Sequence, residues 1–200
     1  MDSTLSALST LERLRKETRA AHSRLEAAVQ IERRVANVPE YTDLLERFYG
    51  FYRPLEERLE PLGDWSAHGI DFRARRKTPW LEADLLGLGH TPQSITALPH
   101  CTSLPRLTSL AHGFGCAYVL EGATLGGRQI SSILQDTSVP EGARHFFSSY
   151  GSAVGDRWRE FTTSLEAFGG AGGQDEIAQA ACDTFASLQH WLTGEKGVMA

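Results

Sequence analysis

The stretch from Tyr118 to Gln129, YVLEGATLGGRQ, places three glycines inside a run that otherwise has the apolar character of a buried helix. A glycine in a helix interior costs about 1 kcal/mol relative to alanine, so this cluster needs a physical reason. Gly122 and Gly126 are four residues apart and share a helical face, and a face without β-carbons lets a flat object lie against bare backbone. Clustered glycines also let a helix bend. Spacing leaves one alternative open, a helix that ends at Gly126 and Gly127, since glycine commonly follows a helix C-terminus.

The whole chain has the pattern of one helical domain. Its 200 residues suffice for one core, and the composition shows no second regime. No segment alternates with the period of two that marks a strand, whereas apolar residues recur every three or four positions. We therefore predict an all-α, single-domain bundle of about six helices over residues 1–200.

Composition excludes several classes of protein. Hydrophobic residues make up 41% of the chain, and no apolar run approaches the ~20 residues that span a bilayer. The first residues lack the basic and apolar regions of a secretory signal, which predicts a cytoplasmic protein. Three cysteines without a CxxC argue against a disulfide framework and a zinc site. The net charge of -5 argues against generic nucleic-acid binding.

Cap residues, prolines and glycines give approximate bounds for the helices. The predicted helices cover residues 10–29, 39–59, 78–87, 105–134, 140–165 and 174–192. The second helix carries a wide stripe of aromatic and aliphatic residues between Tyr41 and Leu59, which is most simply part of the core. Pro54 should kink this helix without ending it, because the stripe continues past it. Residues 90–103 should form a loop with at most one helical turn, and the GGAGG run at 169–173 a flexible joint.

His22 is the candidate ligand of the first predicted helix. It lies four residues after Thr18 and eight after Leu14, on or beside the apolar face. Glu26 follows one turn later, where it can hold the second nitrogen of a ligating imidazole. The simpler alternative is a core histidine bonded to a backbone carbonyl.

Four cations fall within a run of five residues, namely Arg73, Arg75, Arg76 and Lys77. A solvated surface accounts for such a run. The functional alternative is a docking patch for an acidic partner or ligand.

Motif searches narrow the chemistry further. A di-iron bundle needs paired Glu-x-x-His motifs, and no histidine here has a glutamate three residues before it. The chain also lacks a GxSxG, a Walker loop and an HExxH. A single imidazole, a bare helix face and nearby cations together suit haem, which needs an axial ligand, space for a planar ring and countercharges for two propionates.

Two segments carry a family resemblance. LRKETRAAHSRLE, residues 14–26, resembles the proximal helix of haem oxygenases, and YVLEGATLGGRQI, residues 118–130, resembles their distal helix. The second is most similar to bacterial enzymes associated with bacteriophytochromes. RKTPWLEADLLGLG and TFASLQHWL are also similar to that family, so the resemblance spans nearly the whole chain.

The resemblance implies a fold and a set of site residues. Haem would be sandwiched between the first helix and a kinked distal helix, with His22 as the iron ligand. Gly122 and Gly126 would be the catalytic glycines, whose backbone touches haem and its oxygen. The implied cofactor-binding residues are Arg15, Glu26, Tyr118, Gly127, Arg157 and Phe185. Of these, Arg15, Tyr118 and Arg157 would bind the propionates. Animal members carry an aspartate directly after the first distal glycine, where this chain has Ala123.

The implied activity is oxidative cleavage of haem b to biliverdin, carbon monoxide and ferrous iron. Haem is then substrate and cofactor, and oxygen and external electrons are consumed. No flavin or nicotinamide motif is present, so a ferredoxin or flavodoxin would be the donor, and a bacteriophytochrome a recipient of biliverdin. No nucleic acid or membrane is expected as a partner. Two alternatives stay open: a haem-binding protein that does not degrade haem, and a haem-free helical interaction module.

Overall fold

Residues 8–194, the part of the chain that the computed structural model describes, form nine α-helices and short 3₁₀ turns without a β-strand. In chain order, the helices are α1 Thr10–Val29, α2 Ile31–Arg34, α3 Val38–Leu59, α4 Thr78–Gly87, α5 Pro92–Thr96, α6 Leu110–Gln135, α7 His145–Ser148, α8 Val154–Gly170 and α9 Gln174–Thr193. The predicted all-α class is confirmed. The predicted domain over 1–200 includes end residues that lie outside the described range.

Helix α1 begins where the sequence predicts because Ser9 closes a reciprocal cap. The Ser9 hydroxyl accepts the backbone N–H of Glu12 at 3.2 Å, and the Glu12 carboxylate accepts the N–H of Ser9 at 3.0 Å. The helix ends at Gln30, which has a left-handed φ of 49°. Its buried face packs against α9 and comprises Thr10, Leu14, Thr18, Ala21 and Val29.

Helix α3 confirms the prediction for the aromatic stripe. Asn37 caps its start by accepting the N–H of Glu40 at 2.9 Å, beside the predicted start at Pro39. The helix continues through Pro54 to Leu59. The stripe is buried in the core and includes Tyr41, Leu44, Leu45, Phe48, Phe51, Tyr52, Leu55 and Leu59.

Helix α6 runs without a break through all three glycines. The alternative that it ends at Gly126 and Gly127 is therefore wrong. Its start lies at Leu110, later than the predicted 105, because the Ser109 hydroxyl caps it by accepting the N–H of His112 at 3.3 Å.

The helix predicted over 140–165 is wrong as a single element. The structure replaces it with a 3₁₀ turn, α7, a second 3₁₀ turn and α8. Buried Asp84 of α4 imposes the start of α7, because its carboxylate accepts the backbone N–H groups of His145 and Phe146 at 2.7 and 2.8 Å. Positive φ angles at Ser149 and Gly151 then end it.

Helix α9 holds the two helices that the resemblance singles out, since both α1 and α6 pack along it. The approach of α6 is close, because a β-carbon added at Gly115 would collide with the carbonyl oxygen of Ile177. The joint predicted over 169–173 is confirmed in part: Gly169 and Gly170 still belong to α8, and a turn follows in which Gly172 and Gly173 have positive φ angles. With α9 supporting both, α1 and α6 form two walls of one cavity.

Candidate active site

A cavity of about 760 Å³ lies between α1 and α6. This volume falls within the roughly 300–1,000 Å³ of typical small-molecule sites. The predicted site residues that line it are Arg15, His22, Glu26, Tyr118, Gly122, Gly126, Gly127 and Phe185. The structure thus brings together residues from positions 15 to 185, and Arg157 is the predicted residue that it leaves out.

The imidazole of His22 stands on the α1 wall, with its side chain 54% exposed. Its Nδ1 lies 3.3 Å from a carboxylate oxygen of Glu26, the partner that the sequence predicts. The Phe185 ring of α9 meets the imidazole edge-to-face, with ring centroids 5.6 Å apart. A carboxylate at Nδ1 favours the tautomer that carries its proton there, which leaves the lone pair of Nε2 for a metal.

The three glycines on α6 have two different surroundings. A β-carbon added at Gly126 would meet no atom within 4 Å, and one at Gly122 would meet only the Trp158 ring, at 3.9 Å. A β-carbon at Gly127 would instead collide with the carbonyl oxygen of Phe147. Gly122 and Gly126 therefore keep the backbone bare toward the cavity, whereas Gly127 lets α6 approach α7.

Among the predicted propionate-binding residues, Arg15 and Tyr118 line the cavity together. Arg15 is exposed and makes no ion pair with residues 8–194. Burial raises the pKa of Tyr118, and the Thr18 hydroxyl and Arg15 partly oppose this. Both groups can bind a carboxylate, Arg15 as a cation and Tyr118 as a hydrogen-bond donor.

Arg157 lies elsewhere. One of its guanidinium nitrogens is 3.2 Å from a carboxylate oxygen of Glu160, and the guanidinium lies over the Tyr150 ring, 5.8 Å from its centroid. It does not line the cavity. Sequence spacing could not exclude Arg157, because spacing gives the face of its own helix and not the elements that this face meets.

The cavity wall also includes polar residues that the sequence analysis did not assign to the site, among them Tyr52, which it placed in the core with the aromatic stripe of α3. Tyr52 is 1% exposed and lines the cavity, and its hydroxyl makes no hydrogen bond to the described residues. Burial raises the pKa of Tyr52, so the phenol stays neutral and keeps its proton to donate. Thr124 lines the same cavity and donates to the carbonyl of Glu121 at 2.7 Å. The sequence signal that could have identified Tyr52 is its hydroxyl, because a phenylalanine would pack equally well in a purely apolar core.

The basic run is not the docking patch that the sequence suggested as one alternative. Arg75 and Lys77 are only 5% and 2% exposed, and both bind the buried carboxylate of Glu121. Arg73 and Arg76 pair with Glu60 instead. Burying these cations requires a partner, and the carboxylate comes from the residue directly before Gly122.

An imidazole on one helix faces bare backbone on another across a mainly apolar cavity, with an arginine and a tyrosine as candidate anion ligands. This arrangement defines the class, a helical protein with a site for a flat, histidine-ligated ring such as haem. The chain belongs to the heme oxygenase family, whose model matches residues 8–193. It is therefore an oxidoreductase of the haem oxygenase type, with haem as substrate and cofactor.

Individual relatives agree with this assignment. A heme oxygenase from Xanthomonas campestris pv. campestris (strain 8004) is 32% identical over 130 residues, which cover 63% of this chain and 72% of the relative. The structure of heme oxygenase from Leptospira interrogans aligns with a TM-score of 0.73 at 18% identity, over 93% of this chain and 99% of that one. The NO- and CO-bound heme oxygenase from Neisseria meningitidis gives 0.74 at 19% identity, over 93% and 91% of the two chains. The last two show the shared fold.

Among residues 8–194, no helix has both the length and the apolar character needed to cross a bilayer.

Proposed function

We propose that this protein cleaves haem to biliverdin, carbon monoxide and ferrous iron, with His22 as the iron ligand. The observation that carries the proposal is the position of His22 and of the bare Gly122–Gly126 surface on opposite walls of one cavity. Bound haem supplies the iron that takes up oxygen and electrons and the carbon edge that is oxidised. We also propose that residues 1–200 form one haem oxygenase domain, in keeping with the extent of the family match.

His22 and Glu26 would act as a pair. The Glu26 carboxylate, 3.3 Å from Nδ1, orients the ring and makes Nε2 a better donor. Phe185 restricts rotation of the same ring. A neutral imidazole donates less electron density to haem iron than a thiolate does, which would suit the oxidation of the ring edge that bound haem supplies.

Gly122 and Gly126 would leave room for oxygen at the α6 wall of the cavity, because their backbone reaches the cavity without side chains. Ala123 cannot order a water molecule, so another group must do so. Tyr52 and Thr124 both line the cavity. The Tyr52 hydroxyl can donate a hydrogen bond to water, and the Thr124 hydroxyl, which donates to the carbonyl of Glu121, can accept one. We assign to them the water that delivers protons, while the surrounding aromatic rings exclude bulk water.

The rim would bind the propionates through Arg15 and Tyr118, and Gly127 would act through helix packing.

Electrons would come from a ferredoxin or a flavodoxin, since these acidic proteins complement exposed cations. Lys16 and Arg19 of α1 are exposed and make no ion pair with residues 8–194, which makes this face the candidate docking surface. We further propose a cytoplasmic location, where such donors work, and a bacteriophytochrome as a recipient of biliverdin.

Hemin reconstitution tests the proposal. Wild-type protein should shift the Soret band on binding hemin, and ascorbate under air should replace that band with biliverdin absorbance. His22→Ala should lose the shifted band, and His190→Ala, an exposed residue that does not line the cavity, should match wild type.

Each alternative gives a different result in the same assay. A Soret band that persists with reductant and oxygen would identify a haem-binding protein that does not degrade haem. The absence of any shift with wild-type protein would identify a haem-free module.

A further inference from the structure

Four side chains from three segments form a hydrogen-bonded group around Glu121 of α6, which we call the Glu121 cluster: Arg75, Lys77, Glu121 and Tyr150. One Glu121 oxygen accepts from Arg75 at 2.8 Å, and the other accepts from the Lys77 ammonium and from the Tyr150 hydroxyl, the latter at 3.0 Å. Lys77 also donates to the Tyr150 hydroxyl at 2.8 Å and to the carbonyl of Arg75 at 2.5 Å. All three ammonium N–H groups thus have acceptors.

The cluster connects the start of the glycine stretch to three other segments. Glu121 directly precedes Gly122, and Arg75 and Lys77 belong to the segment before α4. Arg75 continues to α8, where it donates to the carbonyl of Arg157 and to the Glu160 carboxylate, both at 3.2 Å. The same α8 carries the Trp158 ring that lies against Gly122.

On its cavity side the glycine stretch has few side chains that could fix its rotation, whereas Gly115 and Gly127 fix only how closely α6 approaches α9 and α7. Gly126 has nothing near its bare face, and Gly122 has only the Trp158 ring, at van der Waals distance. Successive residues of a helix are about 100° apart, so a rotation of α6 through part of that angle would bring a neighbouring side chain toward the cavity in place of the bare surface. Charge-assisted hydrogen bonds restrict such a rotation more sharply than apolar contacts, because they depend on direction.

Stability alone does not account for the cluster. Replacing a buried ion pair with apolar residues of similar volume is often neutral or stabilising, because desolvating the charges offsets their attraction. Burial lowers the pKa of Lys77, and Glu121 acts against this. The best-attested role of buried ionic groups is to specify one structural arrangement among several.

We propose that Glu121 is a positioning residue that, through Lys77, Arg75 and Tyr150, fixes the rotation of α6 so that haem binds in one orientation and opens at one carbon. This inference rests on the proposed haem oxygenase function. Glu121 itself makes no contact with the reacting atoms in this account.

The decisive variant is the triple substitution Lys77→Met, Glu121→Leu and Tyr150→Phe. It removes the polar groups together and leaves no buried charge unpaired, because Arg75 keeps Glu160 and the backbone carbonyl. The melting temperature should stay close to that of wild type. The matched control, Arg73→Met, removes an ion pair of the same segment that lies outside the cluster. Because Lys77 also lines the haem cavity, Tyr150→Phe, which leaves the cavity lining unchanged, is measured beside the triple variant.

Two measurements report on haem orientation. In proton NMR of the ferric haem complex, each orientation gives its own haem-methyl signals, and the triple variant should show a changed ratio of these sets. Chromatography of the product should show several biliverdin isomers where wild type and the control give one. A folded triple variant with wild-type haem-methyl signals and product isomers would overturn the proposal.

The remaining outcomes are also informative. If the triple variant does not fold, Tyr150→Phe, which deletes one donor to Glu121, replaces it: a partial change in the signal ratio supports the proposal, and none overturns it. If wild type binds haem but makes no biliverdin, the proposed function fails, and the NMR comparison still decides the role of Glu121.

Discussion

Replacing neighbouring glycines of α6 with alanine should have opposite effects on stability. Gly126 and Gly127 differ by one position in the same helix, so alanine brings the same gain in helix propensity to both. Their surroundings differ, because the new methyl group meets no atom within 4 Å at Gly126 and collides with the carbonyl oxygen of Phe147 at Gly127. Any difference between the two variants therefore reports on tertiary contacts.

The magnitudes follow from these contacts. Gly126→Ala should stabilise the protein without haem by about 1 kcal/mol, the propensity difference between the two residues. For a chain of this size, that corresponds to a rise in the melting temperature of about 2–4 °C. Gly127→Ala gains the same ~1 kcal/mol but forces backbone apart at a cost near the upper end of overpacking, about 3 kcal/mol. The net loss of about 2 kcal/mol should lower the melting temperature by about 4–8 °C.

Thermal unfolding by circular dichroism, with and without hemin, measures both effects. Gly126→Ala should also slow haem degradation, because its methyl group enters the cavity on the side assigned to oxygen. A Gly126→Ala variant that is less stable than wild type would refute the open surroundings of Gly126. A Gly127→Ala variant as stable as Gly126→Ala would refute the contact between α6 and α7.

Three further results are expected. Glu26→Gln should weaken hemin binding by about 10–100-fold, the usual effect of losing a partner of a metal-ligating imidazole, as measured by hemin titration. Arg15→Ala should weaken hemin binding in the same titration, whereas Arg157→Ala should not, since only Arg15 lines the cavity; equal effects would contradict the assignment. Thiol titration with Ellman's reagent near pH 8 should detect only Cys182 in the native protein, and Cys182→Ser should abolish the signal. Burial raises the pKa of all three thiols, that of Cys116 to about 12, but Cys101 and Cys116 are also closed off from the reagent, whereas Cys182 is only partly buried.

The helical class and most helix bounds could be predicted because they depend on local signals. The Ser9 cap and the long apolar stripe of α3 act through nearby residues, and both were confirmed. The glycine joint before α9 was confirmed for its last residues, where the turn forms. The pairing of His22 with Glu26 was also accessible, since one helical turn separates them.

The errors share a different cause, which is that a distant residue decides the outcome. Asp84 imposes a new helix start at His145, and this divides the helix predicted over 140–165. Glu121 draws Arg75 and Lys77 into the interior, although four cations in five residues suggest a surface. In each case the local sequence is compatible with both outcomes, and a contact formed in the fold selects one.

The site shows the same division. Sequence periodicity placed Gly122 and Gly126 on one face and His22 on another helix, because such spacing depends only on the geometry of a single helix. The separate role of Gly127, the exclusion of Arg157 and the polar contribution of Tyr52 all depend on which elements become neighbours. Periodicity could therefore place His22 and the glycines on two separate helices, and the family resemblance joined these into the proposed haem site. Packing against α7, α8 and α3 decided the roles of the residues around it.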